Sequence, residues 1–267
     1  MFSVAISTDG TQLISGSDDT TVRVWDMVTG DMLKILAGHQ GAVESVVVSS
    51  DGNLIVSGSD DHTVRVWDAL TGIALTVLEG HTSLVFSIAI SSDGNQIISG
   101  SNDRSVSVWN AVTGDMLNVL EGHTDQVASV AISPDSNMII SGSGDTSVRV
   151  WDALTGNTLN VLSGHMNTVW SVAISRDSSR FISGSPDKTV RIWDPSAPSR
   201  HIRHIGGEYA GCVSFPSRQD VVMYVPPSAG LTDTQNILTI PTSAVSSLDF
   251  SQAALGEHWT DCYIPIQ

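Results

Sequence analysis

A chain of 267 residues with 41% hydrophobic and 15% charged residues holds enough apolar material for a real core and too little charge for a disordered polymer. Its formal net charge of −16 repels phosphate backbones and anionic lipid, so neither nucleic acid nor a membrane is an expected partner. The two cysteines, Cys212 and Cys262, have no paired spacing, no apolar run approaches bilayer length, and Met1-Phe2-Ser3-Val4 does not read as a signal peptide; the expected location is cytoplasmic.

In chain order the first feature is a repeat. Trp-Asp occurs at Trp25-Asp26, Trp67-Asp68, Trp151-Asp152 and Trp193-Asp194, with Trp109-Asn110 as the variant, and Gly-His at Gly38-His39, Gly80-His81, Gly122-His123 and Gly164-His165; every step is 42 residues. Met1 aligns with Val43, so the first unit is read from its first strand onward. It keeps Ser15, Asp19 and Trp25, while its His would fall before Met1.

Residues 43–79 serve as the template. Val43, Ser45 and Val47 alternate with Glu44, Val46 and Val48 as a first strand, and Ser50-Asp51-Gly52 is a turn. Leu54 to Ser57 reads as a second strand, Thr63 to Trp67 as a third after the Asp60-Asp61 turn, and Ile73 to Leu78 as a fourth after Asp68-Ala69-Leu70-Thr71-Gly72. The period is two, not 3.6, and four short strands with Asp/Gly turns make a small antiparallel sheet. Such a sheet buries its faces only by stacking on copies of itself.

The Gly-His and Trp-Asp pairs at a 42-residue period resemble the WD40 repeat proteins over residues 1–194. The resemblance implies an all-β fold: a WD40 β-propeller of four-stranded antiparallel blades, five regular repeats plus one or two irregular blades from the tail. It also implies a hydrogen-bonded set in each blade. The matching residues are His39, Ser57, Asp61 and Trp67; His81, Ser99, Asp103 and Trp109; His123, Ser141, Asp145 and Trp151; and His165, Ser183, Asp187 and Trp193. A sheltered carboxylate needs donors, which His and backbone N–H groups supply, and the indole can donate while its ring fills space.

Ser, His and Asp together suggest a hydrolase. Against this, the set recurs four times where a nucleophile needs one activated site, and no Gly-x-Ser-x-Gly elbow is present. The reading is therefore a structural set, with no catalytic residue. The Gly-His histidines stand one per unit, and His201 and His204 lack a neighbouring carboxylate or thiolate pair, so no metal and no cofactor is expected. Ser-Gly-Ser-Asp-Asp lacks the pattern of a phosphate loop. Arg23, Arg65, Arg149 and Arg191 stand two residues before Trp, where pairing with carboxylates is the expectation.

Nearly identical units can be specific only where they differ. The residue before the first strand is Ala42, Leu84, Gln126 or Thr168; its second residue is Phe2, Glu44, Phe86, Ala128 or Trp170; the residue before the turn Asp is Asp18, Asp60, Asn102, Gly144 or Pro186. The first two sets, from Ala42 to Trp170, are the candidate contact residues for a protein or peptide partner. Leu84, Phe86 and Trp170 are expected as exposed apolar anchors.

Residues 195–267 form a second region, either a degenerate repeat or an extension packed on the blades. Ile202-Arg203-His204-Ile205 reads as a fourth strand, Cys212-Val213-Ser214-Phe215 as a degenerate first strand, and residues 245–251 as another that keeps the pattern of residues 43–49. Leu248-Asp249-Phe250-Ser251 and Trp259-Thr260-Asp261-Cys262 resemble the end of the C-terminal WD-repeat region of fungal NACHT-type signalling proteins, which implies a sensor module. The alternatives are a substrate adaptor in a complex such as a ubiquitin ligase and, behind it, a propeller hydrolase.

Overall fold

The computed structural model describes residues 1–194 and, beyond them, the strands Cys212–Phe215 and Arg218–Tyr224. Among the described residues every regular element is a strand, and no helix is long and apolar enough to cross a membrane. The first sheet consists of β1 (Ser3–Ile6), β2 (Gln12–Gly16), β3 (Val22–Asp26) and β4 (Met32–Leu36), paired antiparallel in chain order. The second repeats this with β5 (Val43–Val48), β6 (Leu54–Ser59), β7 (Val64–Asp68) and β8 (Ala74–Leu78). The third is β9 (Val85–Ile90), β10 (Gln96–Ser101), β11 (Val106–Asn110) and β12 (Met116–Leu120), and the fourth β13 (Val127–Ile132), β14 (Met138–Ser143), β15 (Val148–Asp152) and β16 (Thr158–Leu162). The fifth has β17 (Ser171–Ile174), β18 (Phe181–Ser185) and β19 (Thr189–Trp193).

A separate antiparallel pair joins β20 (Cys212–Phe215) to β21 (Arg218–Tyr224). The strands expected at residues 202–205 and 245–251 lie outside the described residues.

Side chains fix the turns. In the second unit the Ser49 hydroxyl donates to Asp51 at 2.5 Å, the same carboxylate accepts the Asn53 N–H at 3.0 Å, and Gly52 adopts a φ of +74° that a Cβ would oppose. Between the third and fourth strands Asp68 accepts both the N–H and the hydroxyl of Thr71, at 2.6 and 2.7 Å.

The apolar cores lie between sheets. Ile14, Val22, Val24 and Leu36 of the first sheet pack on Val43, Val46, Ile55 and Trp67 of the second, and the next three joints repeat the arrangement. Glycine allows the close approach. A Cβ on Gly16, Gly58, Gly100 or Gly142 would come within 2.8 Å of a Cγ1 of Val43, Val85, Val127 or Val169. Each joint is latched along the first strands: the N–H groups of Val46, Ile88, Val130 and Val172 donate to the hydroxyls of Ser3, Ser45, Ser87 and Ser129, all at 3.1 Å.

Strict alternation fails at one place in the template. Val43 and Val46 are both buried in the joint, which a period of two forbids. The pairing slips by one residue between Val43 and Ser45, so Glu44 is the extra residue of a β-bulge, and the same slip makes Phe86 and Ala128 bulge residues. The fifth sheet differs. Asp60, Asn102 and Gly144 donate their backbone N–H to the carbonyls of Ala42, Leu84 and Gln126 at 2.9 Å. Pro186 has no N–H to give, and β17 starts only at Ser171.

Candidate interaction face

The loop carrying His39 and the turn carrying Asp61 meet at one end of the second sheet. His39 Nδ1 lies 2.8 Å from Asp61 Oδ2 and Nε2 lies 2.8 Å from Ser57 Oγ, which also accepts the Trp67 indole N–H at 2.8 Å. With Nδ1–H given to the carboxylate, Nε2 accepts the Ser57 proton, so a single donor direction runs from indole to hydroxyl to imidazole to carboxylate. Ser99, His81, Asp103 and Trp109 repeat this at 2.7–2.8 Å, as do the residues headed by His123 and His165. The first sheet keeps the Trp25 to Ser15 bond at 2.8 Å, and Asp19 accepts from Thr21 and Arg23 instead of a histidine.

Burial alone would raise the Asp61 carboxyl, but donation from the Thr63 hydroxyl, the Gln40 N–H and His39 holds it down to about 2. Burial likewise opposes, and Thr189, the Met166 N–H and His165 outweigh it, at Asp187, which is also held to about 2. Asp103 and Asp145 are lowered in the same way against their burial. Burial pushes His39 and His165 down, more than their aspartates raise them, so both rings are neutral partners.

The sequence reading missed a fifth member. The hydroxyls of Thr63, Ser105, Ser147 and Thr189 each donate to the free oxygen of their aspartate at 2.6 Å. Their 42-residue spacing was the available signal, hidden because Thr and Ser alternate there.

The arginines also differ from expectation. Arg23 pairs with Asp19 at 2.5 Å. Among the described residues Arg65, Arg149 and Arg191 pair with no carboxylate; their guanidinium groups lie 6.0, 5.7 and 5.9 Å from the ring centres of Trp67, Trp151 and Trp193. The space over the ring is bounded by Gly38, Gly122 and Gly164, where a side chain would strike the guanidinium. A weakly hydrated, planar cation suits this half-dry slot better than an ammonium would.

The divergent positions come together at the same end of each sheet, through the backbone bonds that tie residue 60 to 42, 102 to 84 and 144 to 126. Ala42, Glu44, Leu84, Phe86, Gln126 and Thr168 are half-buried there, and Trp170 is 38% exposed. Ala128 departs from expectation. It is 8% exposed, because a methyl group is too short to clear the surrounding backbone. Leu84 and Phe86 present only part of their apolar surface. Burial, then repulsion from Asp60 and Asp18, raises the Glu44 carboxyl, and burial, then repulsion from Asp18 and Asp61, raises that of Asp60. Among the described residues no group of three or more His, Cys, Asp or Glu is placed to hold a metal ion.

The sequence profile of the family described as "WD domain, G-beta repeat" matches residues 1–26, 30–68, 72–110, 114–152 and 156–194. Each match ends one residue past the Trp of a third strand, and from the second match onward each begins just before the fourth strand of the preceding sheet, so the profile's units are offset from the sheets by one strand.

Proposed function

From a chain that belongs to the WD40 repeat family, whose domains are protein-interaction scaffolds, we propose a non-catalytic module that holds a protein or peptide partner at the end where the His loops and Asp turns meet. The observation that carries this is Trp170. It is 38% exposed, while the indoles of Trp67, Trp109, Trp151 and Trp193 are at most 2% exposed. Placing a large aromatic side chain in water on a rigid frame favours an anchor for a partner. Ala42, Glu44, Leu84, Phe86, Gln126 and Thr168 set different side chains around the same frame, and the bulges at Glu44 and Phe86 turn these residues away from the joints. Ala128 contributes spacing, not contact.

The non-catalytic reading is supported by the burial of the hydroxyls. Ser57, Ser99 and Ser141 are fully buried, and each already accepts an indole proton and faces its histidine, which leaves no approach for a substrate carbonyl. Within this role we read the chain as the repeat sensor of a fungal NACHT-type signalling protein working in a reducing, cytoplasmic setting. The uniform repeats and residues 248–251 and 259–262 support that reading.

Affinity capture with the wild-type chain and a Trp170→Ala, Phe86→Ala double variant tests the face. Loss of a captured partner at unchanged melting temperature is the expected result. Full capture by the double variant would remove this surface from consideration.

A further inference from the structure

Across the joint between the fourth and fifth sheets, the largest of the divergent residues stands beside the smallest. The Val169 N–H donates to the Ser143 carbonyl at 2.9 Å, which sets Trp170 next to Gly144 of the preceding sheet. At the first joint the same neighbourhood is felt as charge: beyond its burial, the Glu44 carboxyl is raised by Asp60 of its own sheet and by Asp18 of the preceding one. Trp170 holds the register of Glu44, so Pro186 stands in the place of Asp60 and Gly144 in that of Asp18. A Cβ on Gly144 would lie 2.8 Å from Cγ and Oδ2 of Asp125. The missing side chain thus lets the Asp125 carboxylate lie over the turn that borders Trp170.

Both groups have bonding capacity to spare. Trp170 is 38% exposed, and among the described residues its indole N–H has no acceptor and no cation stands over its ring. Asp125 is exposed; its Oδ1 accepts the Gln126 N–H at 2.7 Å, and among the described residues its Oδ2 takes no donor. Lys188, the cation of the fifth turn, is exposed and forms no ion pair or ring contact among the described residues. Elsewhere the chain covers its indoles with its own guanidinium groups, Arg65 on Trp67, Arg149 on Trp151 and Arg191 on Trp193.

An aromatic face beside a carboxylate suits a cation, because the ring quadrupole and the anion attract it together. A guanidinium can stack on the one while it donates to the other, which a compact ammonium does less well. We propose that Trp170 and Asp125 together receive an arginine side chain of the partner, its plane on the indole and an N–H on Asp125 Oδ2. Pro186 offers the arginine's methylene stem an exposed apolar wall. The net charge of −16 draws a basic segment toward this end of the sheets. The inference rests on the partner-face reading and specifies what that face takes, a basic segment in place of a purely apolar one.

The probe is a Gly-Gly-Arg-Gly-Gly peptide blocked at both ends, titrated into the full isotope-labelled chain. The readout is the Trp170 indole N–H resonance, assigned by its loss in Trp170→Phe. It should shift saturably, with a Kd on the order of millimolar for so small a ligand. The same peptide with citrulline, neutral and of the same shape, should leave it in place. Asp125→Asn keeps an oxygen for the Gln126 N–H and removes the charge, and it should weaken arginine binding by about fivefold. Asp31→Asn, at an exposed residue between β3 and β4, removes the same charge elsewhere and should not weaken it. No shift with the arginine peptide, an equal shift with citrulline, or undiminished binding by Asp125→Asn overturns the proposal. Partner capture separates the two readings. Capture lost by the Trp170→Ala, Phe86→Ala chain but kept in full by Asp125→Asn leaves the face and overturns the arginine; capture kept by the double variant removes the face and the arginine with it.

Discussion

Trp25 and Trp67 hold the same place in successive sheets and make the same bond, indole N–H to a serine hydroxyl at 2.8 Å. Yet Trp67 is 1% exposed and Trp25 is half-buried. The difference lies in the sheet in front of each. Ile14, Val22, Val24 and Leu36 cover Trp67. The matching face of the first sheet leaves Val4 53% exposed against 3% for Val46. The polar set is thus assembled within one sheet, and its dryness is supplied by the neighbour. A repeat of this kind carries its own hydrogen bonds and borrows its core.

The largest effect that can break this comparison is removal of the indole itself. Trp109→Ala should cost about 3–5 kcal/mol in urea unfolding, because a fully buried ring leaves a cavity between two sheets. Trp25→Ala should cost about half of that, and equal costs would show that burial by the neighbour is not what matters. Acid comes next. The lowered carboxyls of Asp61 and Asp187 contribute stability that is present above their ordinary value of 3.8 and is lost as pH falls through about 2. Each share is about 2 kcal/mol. His39 and His165 are lowered too, so stability begins to fall once the pH drops below 6.5 and the unfolded rings take up protons. Melting temperature should therefore decline from pH 6.5 downward, with a second, steeper loss below 3.8; a flat profile to pH 3 would contradict the bond scheme.

A smaller effect separates the two kinds of arginine. Arg149→Ala should cost about 1 kcal/mol, through lost stacking on Trp151. Arg23→Ala, at a surface ion pair, should cost about 0.5 kcal/mol or less. The smallest is a gain. His62 holds a φ of +70° in the turn after Asp61, and His62→Gly should raise stability by about 0.5 kcal/mol in the same unfolding measurement, the strain relieved exceeding the entropy lost.

Much of this was legible in the sequence, and the parts that were not share a cause. The 42-residue step gave the sheets, the turns and the His, Ser, Asp and Trp sets, because each depends on residues within one unit. The bulge at Glu44 was hidden, since an extra residue leaves the alternation looking intact until the strand is paired. Ala128 and Trp170 occupy one register position, yet side-chain length and the missing N–H of Pro186 give them opposite exposures. The stacking of Arg65, Arg149 and Arg191 depends on glycines more than twenty residues away, and net charge suggested ion pairs instead. Exposure is a property of the joint, and a single unit does not contain its joint.

The claim that the repeated residues form scaffold and the divergent ones form contact is tested most directly by changing one repeated residue at a time. Ser57→Ala, Ser99→Ala, Ser141→Ala and Ser183→Ala should each lower the melting temperature by a similar amount, since each strands a buried indole N–H at about 1–3 kcal/mol. Ser15→Ala should lower it less, because Trp25 can reach water. Partner capture by the folded variants should persist in all five. A single variant that keeps the wild-type melting temperature while losing capture, or losing a hydrolytic activity, would make that serine a functional site and contradict the account.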